Sequence, residues 1–317
     1  MTGPTTAMEW PDGKRFAFTI FDDPDAQSTE VGREIYAFLA DLGFRTTKGV
    51  WPLGRSIPGA DEYDEGGDCS DPAYLAWVKE LQESGFEIGW HNATAHTSKR
   101  DRTLEGLERF RGLFGHDPYT MANHYNANEG IYFGEARLSG VRRALYNIAT
   151  KGANRGRYRG EREGDPLFWG DLCRDRIGYV RNFVFPETNT LALCPEMPYS
   201  DPDRPYVNAW YASSEGDKRP SFVNRISETR QDQLEEEGGA CVMYTHFGHG
   251  FYEDGTINPR FRTLMERLAR KGGWFVPVHE LLDFLRERRG GIHTLTGSER
   301  RRLERRWLTH KLRFGTA

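Results

Sequence analysis

The stretch RFAFTIFDDPD at residues 15–25 forms the first unit of a repeating pattern of strands and helices. Its first seven residues are aromatic and β-favouring, which predicts a short strand that runs directly into the acidic turn DDPD. The segment at 30–43, EVGREIYAFLADLG, has helical periodicity and ends at a glycine. The chain therefore opens with a strand, a loop and a helix.

The same alternation of strand and helix continues to residue 290. In chain order the further segments are FRTTKGVWPL (44–53), DPAYLAWVKELQESG (71–85), FEIGWHN (86–92), RTLEGLERFRGLFG (102–115), PYTMANHYN (118–126), ACVMYTHFGHGF (240–251), PRFRTLMERLARKGG (259–273), WFVPV (274–278) and HELLDFLRERRG (279–290). Serial alternation predicts a parallel sheet covered by helices. No Gly-rich nucleotide motif follows the first strand, which favours a barrel over a nucleotide-binding doubly wound sheet.

We therefore predict an α/β fold, a distorted (β/α) barrel that spans residues 1–290. The stretch 59–70 is polar and is predicted to be an insertion. The region 151–232 has weak periodicity and many Gly, Pro, Arg and aromatic residues, so we expect long loops and short strands over one face of the barrel.

Composition limits the class of protein. The chain has 317 residues, 37% of them hydrophobic and 28% charged, which suits one large soluble domain. Its four cysteines lie far apart, which indicates reduced thiols. No signal-peptide pattern is present, and no apolar run approaches the ~20 residues of a membrane-spanning helix. We expect a cytoplasmic protein.

Residues 291–317 are predicted to form a basic tail outside the barrel. Between Glu299 and Arg313 the chain has seven Lys/Arg and two Glu, against a net charge of −4 for the whole chain. The acidic remainder argues against nucleic-acid binding. Apolar residues recur at helical spacing at Leu303, Trp307, Leu308 and Leu312. This basic amphipathic helix is expected either to dock on the barrel or on a second subunit, or to lie on the anionic inner face of a membrane.

Ionisable or metal-binding groups follow four of the predicted strands. They are Asp22-Asp23, His91 with His96, Asn123-His124, and His246 with His249. The carboxyl ends of barrel strands meet on one face, so these groups are expected to converge. Two histidines and one carboxylate are typical ligands of a catalytic metal site, and a second carboxylate can act as a general base. The other interpretation is an acidic turn that caps the next helix, with histidines of no catalytic role.

Further residues are candidates for substrate contact. His249 could orient His246 or touch the substrate, and Asn123 and His124 could do the same from their strand end. Trp51 is a candidate platform for stacking a sugar ring, although most aromatic residues pack the core. His91 and His96 are five residues apart, which on a helix would separate the rings by about 140°. Both can bind one ion only if residues 92–95 form a loop.

In this order the motifs resemble those of the polysaccharide deacetylases, the carbohydrate esterase family 4 group. FTIFDDP resembles the family motif T-F-D-D-G, and FEIGWHNATAH resembles its E-I-G-x-H motif with a second histidine shortly after. VMYTHFG resembles its late L-x-x-H motif, and LARKGGWFVPVHELLDFL resembles its ending. The agreement covers roughly residues 15 to 287.

The resemblance implies a role for each matched residue. Asp22 would be the general base and His246 the general acid. Asp23, His91 and His96 would bind zinc or a similar divalent ion. Three departures set this sequence apart: the extra residue between the histidines, Pro24 in place of Gly, and the absence of an arginine at MANHYN, where the family has one that pairs with the catalytic Asp.

The predicted function is a metal-dependent carbohydrate deacetylase. It would remove an N-acyl group, such as acetyl, from an amino sugar or glycan precursor in surface polysaccharide biosynthesis. The alternative is a catalytically inactive carbohydrate-binding or scaffold protein that keeps the barrel and part of the metal site.

Overall fold

The computed structural model describes residues 8–54 and 66–315, and seven parallel strands in it form a closed barrel. The neighbours around the barrel are β1, β2, β3, β4, β5, β7 and β8, and pairing of β8 with both β7 and β1 closes it. The barrel strands are β1 (Ala17–Asp22), β2 (Thr47–Val50), β3 (Glu87–Trp90), β4 (Thr120–Met121), β5 (Tyr179–Phe185), β7 (Ala209–Glu215) and β8 (Ala240–Thr245). The predicted (β/α) barrel is confirmed.

Helices surround the barrel, and short strands extend its edge. The helices are α1 (Thr29–Asp41), α2 (Pro72–Glu83), α3 (Arg100–Phe114), α4 (Gly140–Ala149), α5 (Gly170–Arg176), α6 (Thr190–Leu193), α7 (Arg219–Arg225), α8 (Glu228–Glu236), α9 (Pro259–Arg270), α10 (Val278–Arg288) and α11 (Gly297–Phe314). β6 (Tyr199–Ser200) is antiparallel to β7 and pairs with β11 (His293–Thr294), while β9 (Tyr252–Glu253) and β10 (Thr256–Ile257) form a hairpin.

The barrel interior is packed rather than open. Phe21 of β1 points inward against a pair of facing glycines, Gly49 of β2 and Gly89 of β3. A Cβ atom at Gly49 would lie 2.9 Å from the Phe21 ring, and one at Gly89 would lie 3.0 Å from it. The two glycines therefore make room for a large aromatic side chain that fills the barrel below the carboxyl ends of its strands.

Two predictions for individual elements were wrong. The region 151–232 was expected to form loops and short strands over one face, but it supplies two barrel strands, β5 and β7, of seven residues each. Every residue of both strands is buried, so the alternation that marks a half-exposed strand is absent from their sequences. The predicted strand WFVPV is reduced to one bridge between Trp274 and Ala17, because Pro277 has no N–H to donate to a ladder and α10 begins at Val278.

The tail is an ordered helix that docks on the barrel. α11 buries Leu303, Trp307 and Leu308, and the carboxylate of Glu304 is also fully buried. Glu304 accepts hydrogen bonds from Ser139, Arg142 and Arg204. Leu312, the fourth apolar residue of the predicted helix, is exposed. The apolar side of the helix is thus used mainly within the molecule.

The predicted insertion 59–70 lies outside the described residues over 59–65. The four cysteines are free and buried, as expected for reduced thiols. Among the described residues, no helix is long and apolar enough to cross a bilayer.

Candidate active site

A cavity of about 280 Å³ opens at the carboxyl ends of the barrel strands. Residues of the loops after β1, β3, β4 and β8 line it, together with Arg181 from β5 and two residues of α11. The carboxylate and imidazole groups of these loops belong to Asp23, Asp25, His91, His124, His246 and His249. The sequence-based expectation that these strand ends converge is therefore met by the geometry.

Asp22, the predicted general base, lies outside this cavity. Its carboxylate is fully buried and accepts hydrogen bonds from Lys48, Gln27, Tyr36 and the backbone N–H of Phe247. Lys48 Nζ is 3.0 Å away, and its side chain is also fully buried. All these donors belong to the protein, so Asp22 has the environment of a structural carboxylate that ties β1 to β2, α1 and the loop after β8.

Asp23 faces the cavity and is paired with an arginine. The guanidinium of Arg181 donates two hydrogen bonds to it, Nη1 to Oδ1 at 3.1 Å and Nη2 to Oδ2 at 2.7 Å. Burial raises the pKa of Asp23, but Arg181 and the neighbouring histidines more than offset it, so the pKa lies below its ordinary value. The arginine partner that MANHYN lacks is thus present on β5, beside Asp23 rather than Asp22.

Asp25, His91 and His124 form a cluster that could hold a metal ion. Their candidate ligand atoms all lie within 4.8 Å of one another, and all three residues are buried. His124 Nε2 is 2.8 Å from Asp25 Oδ1, and His91 Nε2 is 3.3 Å from Asp25 Oδ2. Asp25 also belongs to a second such group, with Asp23 and His246.

The chemistry of this cluster fits a divalent cation. Within the described residues, the two ring nitrogens of His91 face carboxylate oxygens rather than hydrogen-bonded structural partners: Nε2 is 3.3 Å from Asp25 Oδ2 and Nδ1 is 3.6 Å from Asp23 Oδ1. Burial lowers the pKa of His91, which favours the neutral imidazole that binds metals. Burial raises the pKa of Asp25, but His124 and His246 bring it well below the ordinary value, so the carboxylate is ionised. Buried imidazole nitrogens and carboxylate oxygens that face one another in this way suit a cation bound by two histidines and one carboxylate.

Backbone and side-chain contacts hold the cluster in place. Asn92, directly after His91, has a left-handed φ of 64°, which Asn tolerates better than most residues and which turns the chain away from β3. Its side chain accepts a hydrogen bond from the backbone N–H of His124 and donates one to Glu129. Burial raises the pKa of Glu129 to about 7. Asn92 therefore links the two histidine-bearing loops directly.

His246 is oriented by the backbone. Its Nδ1 donates to the carbonyl of Asp217 at 2.8 Å, which leaves Nε2 toward the carboxylates, 3.8 Å from Asp23 and 3.7 Å from Asp25. A histidine fixed in this way can exchange a proton at Nε2. His249 also lines the cavity, and its ring centroid is 5.4 Å from that of His246.

Three predicted site residues have other surroundings. His96 belongs to neither candidate metal group of the described residues. Its backbone N–H and carbonyl are both hydrogen-bonded to the hydroxyl of Thr94. Trp51 is 1% exposed and packs against the rings of His91 and His124, so it supports the cluster from outside the cavity. Asn123 lines the cavity, but its side-chain amide is used within the protein. It donates a hydrogen bond to the carbonyl of Ile131 and accepts one from the backbone N–H of Ile131.

Sequence reasoning missed two residues of the site, Asp25 and Arg181, and gave His124 a different role. Asp25 lies in the acidic turn DDPD, two residues after Asp23, where a third carboxylate could already be expected to reach the same strand end. Arg181 is the single charged residue of the buried strand YVRNFVF, and a charge in such a strand requires a partner. Both signals were present in the sequence.

The fold and the site together define a barrel of the polysaccharide deacetylase type with a candidate metal centre. A Mycobacterium smegmatis protein assigned as a polysaccharide deacetylase shares this fold, with a TM-score of 0.53 and 12% identity, over 92% of this chain and 98% of that protein. An allantoinase, PuuE, matches with a TM-score of 0.48 and 11% identity over 87% of this chain and 91% of its own. The polysaccharide deacetylase Bc1974 from Bacillus cereus matches with a TM-score of 0.36 and 12% identity over 84% of this chain and 93% of its own. No family model and no curated protein matches the sequence.

Proposed function

We propose that this protein is a metal-dependent hydrolase that removes an N-acyl group from an amino sugar or glycan precursor. The observation that carries the proposal is the buried cluster of Asp25, His91 and His124 beside the ion pair of Asp23 with Arg181. It combines a ligand set for a catalytic ion with a separate, ionised carboxylate in the same cavity. The fold shared with a polysaccharide deacetylase supports an acylated sugar as the substrate.

In this proposal the residue roles differ from those implied by the motifs. Asp23 replaces Asp22 as the general base, and the ligands are Asp25, His91 and His124. A bound zinc or similar divalent ion would polarise the acyl carbonyl and lower the pKa of water toward ~7.

The chain's own residues then supply the proton transfers. Arg181 keeps the Asp23 carboxylate ionised and fixes its orientation, so that an oxygen of Asp23 can take a proton from the attacking water. His246 Nε2 can give a proton to the departing amine nitrogen, since its Nδ1 proton is held by the Asp217 carbonyl. His246 Nε2, the proton donor, lies 3.8 Å from Asp23 Oδ2, the proton acceptor, so both face the same end of the cavity.

The test is hydrolysis of N-acylated amino sugars by the purified protein, with chelator and then with zinc restored. We expect Asp23→Asn to lower turnover at least ~10²-fold while metal content is retained. Asp41→Asn, at the exposed end of α1, makes the same chemical change away from the site and should leave turnover unchanged. Turnover that resists chelation, or an Asp23→Asn protein as active as wild type, would exclude the proposed mechanism.

The second candidate is an inactive carbohydrate-binding protein with the deacetylase fold. The buried cluster of His91, His124 and Asp25 argues against it, because burying three ionisable groups is costly and a binding protein gains no activity from them. Metal analysis separates the two: the enzyme should contain one divalent ion per chain, and the binding protein should contain none.

We also propose that the protein acts at a membrane surface in surface polysaccharide biosynthesis. Val141, Leu145 and Ile148 form an exposed stripe on α4, and Leu145 shares a groove with Arg301 and Arg305 of α11. Exposed apolar groups beside basic ones suit an anionic lipid surface. The cytoplasmic location remains a prediction.

A further inference from the structure

Arg137 is a buried cation with no acidic partner among the residues that the structure describes. It ends the turn Gly134–Arg137, is 3% exposed, and lines the same cavity as the candidate metal cluster. In the described parts of the chain, its guanidinium donates no side-chain hydrogen bond and forms no ion pair. Other buried arginines are paired: Arg181 with Asp23, and Arg204 with Asp201 and Glu304.

The surroundings of Arg137 keep it in place and keep it charged. Its guanidinium carbon is 4.2 Å from the ring centroid of Phe133 and 5.2 Å from that of Trp307, and both rings line the cavity. Burial, with a smaller contribution from Arg181, lowers the pKa of Arg137 to about 10, so it stays protonated at neutral pH. Lys311 of α11 also lines the cavity. Burial lowers the pKa of Lys311, and the positive charge of Arg137 lowers it further.

A buried charge normally has a counter-charge, because the desolvation of an unpaired ion costs several kcal/mol. Stacking between two aromatic rings orients the guanidinium but supplies no hydrogen-bond acceptor. Because Arg137 lines the cavity, its guanidinium N–H groups can donate to a ligand bound there. A guanidinium is well suited to a carboxylate or phosphate oxygen, which it can bind in a bidentate manner.

We infer that Arg137 forms an anion-binding subsite, and that the substrate of the proposed hydrolase is an N-acylated amino sugar that carries a carboxylate or a phosphate monoester. The acylated sugar in this inference rests on the proposed function, whereas the anionic group is inferred from Arg137 alone. The cavity of about 280 Å³ is at the small end of ligand pockets, which suits one sugar unit with its anionic substituent. The acyl group would then lie toward Asp23 and His246, with the anion at Arg137.

Isothermal titration calorimetry of the full chain with three sugars tests the inference. The sugars are N-acetylglucosamine, its 6-phosphate, and N-acetylmuramic acid, which adds a carboxylate. We expect at least one of the anionic sugars to bind at least ~10-fold more tightly than the neutral one. Arg137→Met should abolish this advantage and leave the affinity for the neutral sugar within about twofold, while Arg137→Lys should keep part of it. The sugar that gains identifies the anionic group.

Thermal unfolding separates a ligand-binding arginine from a structural one. Arg137→Met removes an uncompensated buried charge and keeps a flexible apolar side chain between the rings, so its Tm should not fall. Arg204→Met is the matched control, since it leaves Asp201 and Glu304 without their partner and should lower the Tm clearly.

Two results would overturn the inference. One is equal binding of neutral and anionic sugars by the wild-type protein. The other is an anionic preference that survives in both Arg137 variants, which would assign the preference to the metal cluster or to Lys311. If Arg137-dependent anion binding is found but no acyl group is ever hydrolysed, then the proposed function fails and the subsite stands.

Discussion

Asp22 and Asp23 are adjacent in sequence, but substitution by Asn should lower stability at Asp22 and turnover at Asp23. Asp22→Asn removes the negative charge that compensates Lys48, whose ammonium is fully buried and 3.0 Å away. It also places an NH2 group among donors, where the carboxylate now accepts from Gln27 and Tyr36. Breaking one partner of a buried ion pair costs about 3–5 kcal/mol. At roughly 2 °C per kcal/mol for a large domain, the Tm should fall by about 6–10 °C.

Substituting both members of the Asp22–Lys48 pair should restore the stability that either single substitution removes. Lys48→Met alone should be similarly destabilising, because it leaves Asp22 as the unpaired charge. The double variant Asp22→Asn/Lys48→Met replaces the pair by neutral groups and should recover most of the lost Tm. Circular dichroism melts of the four proteins measure the coupling between the two residues.

Metal content and turnover complete the experiment. Because Asp22 does not line the cavity, the double variant should bind metal and hydrolyse substrate within about fivefold of wild type. An Asp22→Asn protein that melts like wild type but loses turnover ~10²-fold would refute the reasoning. It would restore Asp22 as the general base.

The remaining predictions concern the ligands, a loop contact and the surface. Asp25→Ala should abolish binding of a divalent ion while His96→Ala retains it, as measured by elemental analysis; loss in both would return His96 to the ligand set. Gly248→Ala should weaken metal affinity ~10-fold or more, because its Cβ would lie 2.6 Å from the carbonyl oxygen of Asp25; an unchanged metal titration would show that the loops can yield. Val141→Ser/Ile148→Ser should reduce cosedimentation with anionic vesicles at low salt, and a change in solution mass instead would assign the stripe to a subunit contact.

The general arrangement of the site could be predicted from the sequence, but the exact residues could not. His91 and His246 lie where the strand-end argument expects them, since the carboxyl ends of parallel strands share one face. Adjacent residues of a strand point to opposite sides, so of Asp22 and Asp23 only one can face the barrel interior. The motif does not say which one, and the pairing of Arg181 with Asp23 depends on contacts between β1 and β5 that lie far apart in sequence.

His124, the candidate ligand in the loop after β4, also could not be identified from the sequence. His96 follows His91 closely in sequence, whereas His124 comes from the next strand. Asn92 fixes the backbone of His124 through a hydrogen bond of 2.8 Å, and this contact links two loops. Spacing along the chain carries no information about such a contact. The packed strands of region 151–232 were missed for a related reason, because burial on both faces removes the alternating pattern.

The docking of α11 divides the cavity between two separate parts of the chain. All the candidate acid, base and metal-binding groups precede residue 250, whereas Trp307 and Lys311 of the wall come from a helix that begins at Gly297. Substitutions along that helix can therefore reshape what the cavity accepts while the reacting groups stay untouched. In a lineage of such proteins, the preference for a substrate could diverge quickly through α11, with the chemistry inherited unchanged.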